Sequence, residues 1–287
     1  MRLDGLAAVV TGGSQGFGLA VAEAFLTEGA DVLVCARGED ELDSAVASLT
    51  QKADANRKIA SVVADVSRPE HAERVVRTAV DAFGRVDVLV NNAGVYGPMG
   101  VIEDVDWGDW TRAIEINLMG TVLPCRAVLP HMKRAGRGTI INLSGGGATA
   151  PLPRMSAYAA SKAAVVRFTE TLAEELRDDG IDVNAVAPGA LNTRLLDEVL
   201  EAGPARVGFE FYEKSLQQKK NGGASLGKGA ALCVFLASEA SKGLTGKLIS
   251  ALWDPWENLP ARVSELATND VYTLRRIVPK DRGQEWG

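Results

Sequence analysis

Seven short runs rich in Val, Ile, Leu and Ala alternate with stretches of helical spacing, and that alternation constrains the fold of this chain more than any other feature. The runs are Leu6–Val10, Asp31–Ala36, Ile59–Ala64, Val86–Val90, Thr139–Leu143, Ile181–Ala187 and Lys247–Leu252. Short, continuously apolar segments of this kind read as strands buried on both faces. Between them lie Phe17–Glu28, Glu39–Leu49, Pro69–Phe83, Trp107–Arg134, Ala157–Arg177 and Leu226–Ala237, each with helical periodicity. Gly29 and Gly84 stand just past two of these helices and Pro69 opens a third, the usual asymmetry of helix starts and stops. Alternation of this type demands right-handed βαβ crossovers, so the expected fold is α/β: a doubly wound, parallel, seven-stranded sheet with helices on both faces. Ligands on such sheets bind at the carboxyl ends of the strands, where the winding direction reverses.

Two regions break the rhythm. Residues 190–225 are long for a connection and mix Phe209, Phe211 and Tyr212 with several basic side chains. Insertions of that length are more often lids or binding loops than idle linkers. Residues 253–287 carry Trp253, Trp256, Pro255 and Pro260 and do not extend the alternation.

The formal net charge of −6 provides no global positive field to attract nucleic acid or an anionic membrane surface. Cys35, Cys125 and Cys233 are scattered and lack metal-ligand spacing, as expected of reduced core thiols. His71 and His131 each lack a second ligand at metal spacing, so no metal site is expected. The apolar segment after Met1 is only about six residues long, short for a signal-peptide core, and no run approaches the ~20 residues of a membrane span. The expected location is the cytoplasm.

The first strand runs into Thr11-Gly12-Gly13-Ser14-Gln15-Gly16-Phe17-Gly18, and a helix follows at once. Glycines there let backbone approach a ligand, and the amides and dipole of a helix N-terminus favour a phosphate. The second strand ends Cys35-Ala36-Arg37, with no carboxylate to accept from a free ribose 2′-hydroxyl. Arg37 is suited to neutralise a 2′-phosphate, which favours NADP(H), with NAD(H) as the alternative; a surface pairing of Arg37 with Glu39 or Asp40 is the competing reading. Tyr158 and Lys162 are four apart in a helical stretch and share one face. An ammonium beside a phenol favours the phenolate and brings it toward useful acid/base range.

With Asp65-Val66, Asn91-Asn92-Ala93-Gly94, Asn117 and Pro188-Gly189 in order between and around these motifs, the chain resembles the short-chain dehydrogenases/reductases over roughly residues 5–250. The resemblance implies a Rossmann-like, NAD(P)-binding catalytic domain over residues 1–252, with 190–225 as a substrate-loop insertion and 253–287 as a C-terminal extension. It implies that Gly12, Ser14, Gln15, Gly16, Phe17 and Gly18 cradle the cofactor, that Asp65 and Val66 hold the adenine, and that Asn92, Ala93 and Gly94 line the site beside Asn91. Pro188, Gly189 and Thr193 would contact the nicotinamide side. Tyr158 would donate or accept the proton, Lys162 would tune it and bind the nicotinamide ribose, and Asn117 would hold a water linking Lys162 to solvent.

Two departures from the family pattern stand out. The usual serine lies 13 residues before the tyrosine, where this chain has Gly145; Ser144 stands at 14. Either Ser144 orients the substrate oxygen or that role is vacant. The last strand continues Ser250-Ala251-Leu252-Trp253-Asp254 in place of the family's Val-Asp-Gly-Gly ending, so the tail is an addition. Its tryptophans are expected to cover the substrate pocket, dock on a neighbouring subunit, or fold over their own chain.

The expected function is an NADP(H)-preferring interconversion of a ketone and a secondary alcohol, with a small-molecule partner and a homodimeric or homotetrameric assembly. The alternatives are an NAD-dependent polyol, sugar or cyclitol dehydrogenase, a 3-oxoacyl thioester reductase, and a nucleotide-sensing regulator without catalysis.

Overall fold

The computed structural model describes residues 1–286 of the 287. Gly287, the last residue of the expected extension, lies outside the described residues. Seven strands form one sheet: β1 (Ala7–Thr11), β2 (Asp31–Ala36), β3 (Ile59–Val63), β4 (Val88–Asn91), β5 (Gly138–Leu143), β6 (Ile181–Ala187) and β7 (Leu248–Ser250). Their order is β3-β2-β1-β4-β5-β6-β7, and every pairing is parallel. The expected doubly wound sheet is therefore present, and the winding reverses between β1 and β4.

The strands lack an apolar/polar alternation because both faces are covered. Ala8 and Val10 of β1 and Val32 and Val34 of β2 pack into one core layer, whereas Val9, Leu33 and Cys35 pack into the other. The first layer is roofed by α1 (Gly16–Thr27), α2 (Glu39–Lys52) and α9 (Leu226–Ala237), the second by α3 (Pro69–Phe83), α5 (Gly120–Ala135) and α6 (Ser156–Glu175). All three cysteines are buried free thiols, and burial pushes each up to about 12. No described helix is long and apolar enough to cross a membrane.

Trp107–Arg134, which reads as one helix, is divided. Helix α4 (Trp107–Ile114) passes through a π-helical turn at Glu115–Met119 before α5 begins. The wider turn holds Asn117, and the Thr121 hydroxyl donates to the Asn117 carbonyl at 2.9 Å. Such turns interrupt the helical hydrogen-bond ladder and often mark functional sites. The 190–225 insertion is not an irregular loop: it folds into α7 (Arg194–Val207) and α8 (Phe209–Asn221), with Gly203 and Gly208 at positive φ between their rigid parts.

The tail answers a problem that the sheet creates. Strand β7 lies at an edge, and Lys247 O and Ala251 N bond inward to β6, so Leu248 and Ser250 present their amides outward. Leu248 N donates to Tyr272 O at 2.8 Å, and Ser250 N donates to an Asp254 carboxylate oxygen at 2.7 Å. Tyr272 holds a φ of 63°, a conformation unusual for a bulky residue. An exposed edge invites pairing with another chain, and here the polypeptide's own extension covers it. Trp256 is buried against Phe235 at 5.4 Å between ring centroids. Two of the three tail tryptophans thus divide the expected roles, Trp256 packing within its own chain and Trp253 lining the main cleft, while Trp286 is exposed.

Candidate active site

A cleft of about 1140 Å³ opens at the carboxyl ends of the strands, around the reversal between β1 and β4. That exceeds the roughly 300–1,000 Å³ usual for one small ligand, leaving room for two bound molecules. Gly12, Ser14, Gln15, Gly16 and Phe17 line one side of it. Gly12 has φ 63°, and a Cβ there would lie 2.9 Å from Ala93 Cα; a Cβ on Gly18 would lie 2.3 Å from the Gly12 carbonyl. Backbone fills the space where side chains would sit. Helix α1 starts beside it with no side-chain cap and no acidic residue in its first turn. Its free amides therefore face the cleft with an unopposed dipole, which fits the phosphates of a dinucleotide.

The far wall is tied to this loop. Asn92 Nδ2 donates to Thr11 O and Gly12 O, both at 3.0 Å, while Asn92 N and Ala93 N donate to Thr11 Oγ1. Asn91 bonds Asn142 at 2.9 Å, and Asn142 bonds Thr169 at 2.9 Å, joining β4, β5 and α6 through a buried chain of polar side chains. Asp65 and Val66 both line the cleft. Burial opposes the charge on Asp65, yet the Ser67 hydroxyl and the Arg112 guanidinium hold its carboxyl below the usual range. Arg112 carries no motif and lies 47 residues away, so only the fold reveals it as the partner of Asp65.

Arg37 is exposed on the cleft lining and makes no ion pair among the described residues, so the surface pairing with Glu39 or Asp40 does not form. Pro188, Gly189 and Thr193 also line the cleft, and a Cβ on Gly16 would lie 3.4 Å from the Thr193 methyl group. Gly189 has φ 98°, and Leu252 packs where its Cβ would stand.

Tyr158 and Lys162 project from α6 into the centre of the cleft, both buried. Lys162 Nζ donates to Leu143 O at 2.8 Å and lies 5.8 Å from the centroid of the Tyr158 ring. Burial pushes the ammonium down to about 8. Burial, reinforced by the Tyr96 phenol, pushes the Tyr158 phenol above its ordinary range. The direction is opposite to that expected from the neighbouring ammonium: removal from water dominates, and no lowering by Lys162 accompanies it. The Tyr158 phenol is consequently neutral near pH 7. Tyr96, which no motif marks, meets it edge-on at 4.6 Å.

The π turn brings Asn117 into the same centre. Its Oδ1 accepts from Val95 N at 2.8 Å, and its Nδ2 donates to Val95 O and Ser161 Oγ at 2.9 Å each. A Cβ on Gly94 would lie 3.1 Å from Asn117 Oδ1 and 3.4 Å from Lys162 Nζ, so that glycine lets the groups converge.

Ser144 continues the β5–β6 ladder through its amide, which donates to Val186 O at 2.9 Å. Its buried Oγ has no hydrogen-bond partner among the described residues. At Gly145 a Cβ would stand 2.1 Å from the Tyr158 hydroxyl, so the phenol occupies the space that a side chain there would need.

Comparison with known proteins agrees with this architecture. The short chain dehydrogenase family model matches residues 6–203. The chain is 34% identical over 247 residues to dehydrogenase/reductase SDR family member 4 of Bos taurus, covering 86% of each protein. It is 38% identical over 247 residues to a 3-alpha-(or 20-beta)-hydroxysteroid dehydrogenase of Mycobacterium bovis, covering 85% of this chain and 87% of that one. Among solved structures, an NAD+-bound xylitol dehydrogenase superposes with a TM-score of 0.79 at 28% identity, over 87% of this chain and 98% of that one. The glycine cradle at the sheet's reversal, the Tyr158–Lys162 pair and these matches together place the chain in the short-chain dehydrogenase/reductase family, as an oxidoreductase acting on CH–OH groups.

Proposed function

We propose that the chain is an NADP(H)-preferring oxidoreductase that interconverts a ketone and a secondary alcohol, with Tyr158 as the general acid/base. The observation that carries the reading is the buried, neutral Tyr158 phenol standing in a cleft whose other half is a backbone cradle for phosphates. Gly12, Ser14, Gln15, Gly16, Phe17 and Gly18 would hold the pyrophosphate, and Asp65 and Val66 the adenine. Asn92, Ala93, Gly94, Pro188, Gly189 and Thr193 would flank the nicotinamide half. Arg37, exposed and without an ion-pair partner among the described residues, would meet a 2′-phosphate.

When bound, the nicotinamide ring supplies or accepts the hydride. In the reducing direction a ketone gains hydride at carbon and a proton from Tyr158 Oη at oxygen, leaving as a secondary alcohol beside the oxidised dinucleotide. Lys162 shares the buried centre with Tyr158 and is placed to bond ribose hydroxyls. Asn117 fixes the Val95 backbone at the floor of the site. Ser144 has a free buried hydroxyl to offer the substrate oxygen.

NAD(H) use is the second reading, favoured by three carboxylates, Glu39, Asp40 and Glu41, in the first turn of α2, which oppose a 2′-phosphate. Exposed Trp107, stacked on Trp110, and exposed Met119 put apolar surface on the α4–α5 side, which supports a homo-oligomer.

Titration of the purified protein with each reduced cofactor, followed by a ketone screen with Tyr158→Phe as control, tests the proposal. Tighter NADPH binding and Tyr158-dependent ketone reduction are expected. Tighter NADH binding overturns the cofactor assignment, and equal turnover by the two proteins overturns the proton donor. A monomeric mass in light scattering at micromolar concentration overturns the assembly.

A further inference from the structure

We infer that the substrate half of the cleft takes a neutral, mainly hydrocarbon, ring-bearing ketone, rather than a charged or polyhydroxylated compound. The inference rests on the oxidoreductase reading and extends it to the chemical class of substrate. The surroundings of Tyr158 are apolar: Met155, Val199 and Val207 pack with it, flanked by Tyr96, Leu152 and Phe211. Three of these, Val199, Val207 and Phe211, belong to the α7–α8 cover, so the cover brings hydrocarbon directly to the proton donor.

Two pairs of opposite charges near this half are closed within the chain. Arg194 pairs with Glu198 at 2.7 Å, and Asp197 pairs with Lys219 at 2.6 Å. Arg154, held at φ 68°, donates to the Ala205 carbonyl at 3.0 Å near the end of α7. Apart from Lys162, which has no carboxylate partner and is assigned to the cofactor ribose, the cleft-lining cation on this side, Arg194, is already paired, and burying an unpaired charge is costly.

Three polar side chains of the lining are similarly occupied. Gln218 donates to Leu191 O at 3.1 Å, Asn192 faces Gln218, and the Ser215 hydroxyl donates to Phe211 O at 2.8 Å. A polyol would lose water without gaining the partners its hydroxyls need. The buried Ser144 Oγ, unpartnered among the described residues, and the Tyr158 phenol can serve a single substrate oxygen. At the mouth, Trp253 lines the cleft yet is 84% exposed, an indole face that a flat hydrocarbon ring would cover.

The test assays purified enzyme with NADPH and, separately, NADH against trans-1-decalone, 2-oxoglutarate, xylulose and acetoacetyl-CoA, with equilibrium dialysis of decalone against the cofactor-loaded enzyme. Decalone is expected to exceed the other three in kcat/KM by at least about 100-fold, in line with rejection by unsatisfied polar contacts. Trp253→Ala is expected to raise the decalone KM about tenfold, more than the butanone KM, with kcat little changed and with recovery in Trp253→Phe. A preference for 2-oxoglutarate, xylulose or acetoacetyl-CoA overturns the inference while leaving the oxidoreductase reading intact. Decalone bound in dialysis but not reduced overturns that reading while supporting the apolar site. Absence of both binding and turnover of decalone overturns the inference.

Discussion

The Tyr158 hydroxyl rests against Gly145 so closely that a Cβ built on the glycine would stand 2.1 Å from it. The hydroxyl of the proposed proton donor therefore fills the space of a side chain at a position where the family usually carries a serine. Tyr158 has little room to retreat, because its buried ring packs against Tyr96 and Met155. Gly145→Ser and Gly145→Ala are both expected to lower kcat by at least about tenfold, since displacing a catalytic group by even 1 Å is costly. Circular dichroism should report a retained fold. A gain of activity in Gly145→Ser alone would show instead that a hydrogen bond had been missing.

Tyr158→Phe removes the proposed proton donor and is expected to lower ketone reduction by roughly 10²–10⁴-fold, the usual contribution of a positioned acid. Cofactor affinity, measured by fluorescence titration, should change far less. Burial raises the phenol's pKa, so wild-type oxidation of the alcohol should keep rising beyond pH 10, the ordinary phenol value, as the base form becomes populated. An oxidation profile that levels off near pH 7 would contradict this.

Lys162 couples stability to pH. Its ammonium is pushed from 10.5 down to about 8 in the folded protein, so between these values the unfolded chain binds more protons. Stability from this group therefore increases as pH rises through that window, by up to about 3 kcal/mol. The difference in urea midpoint between wild type and Lys162→Met should grow in favour of wild type from pH 8 to 10, because the three buried thiols, raised from 9 to about 12, lower stability with pH equally in both proteins. Above pH 10 the raised Tyr158 phenol contributes the opposite slope in both proteins.

Arg37→Ala is expected to weaken NADPH binding about tenfold or more, the scale of one charge-assisted contact to phosphate, while leaving NADH binding near its original value. Isothermal titration of both cofactors checks this. Equal losses for the two would remove Arg37 from 2′-phosphate recognition.

Loss of Trp256 should loosen the tail from the sheet edge. Its ring is buried against Phe235, so Trp256→Ala is expected to cost about 3–5 kcal/mol, measured by denaturant unfolding. Removing residues 253–287 goes further and leaves the outward amides of Leu248 and Ser250 without their partners. Light scattering should then show larger assemblies, because an uncovered strand edge pairs with other chains. A truncated protein with unchanged mass and stability would refute the capping role.

The linear order of residues determined the sheet and the cofactor end of the cleft, because both follow from local rules. Short apolar runs such as Val86–Val90 read as buried on two sides, glycines at Gly12 and Gly16 permit left-handed turns, and Tyr158 and Lys162 share a face through helical spacing alone. Tertiary structure decided what depends on distant segments meeting. It placed Arg112 on Asp65, Tyr96 on Tyr158, and Tyr272 on the amide of Leu248, contacts separated by 47, 62 and 24 residues with no local signal. It also set the direction of the Tyr158 pKa, because spacing reveals a neighbouring ammonium but not how completely the packed chain excludes water from the phenol.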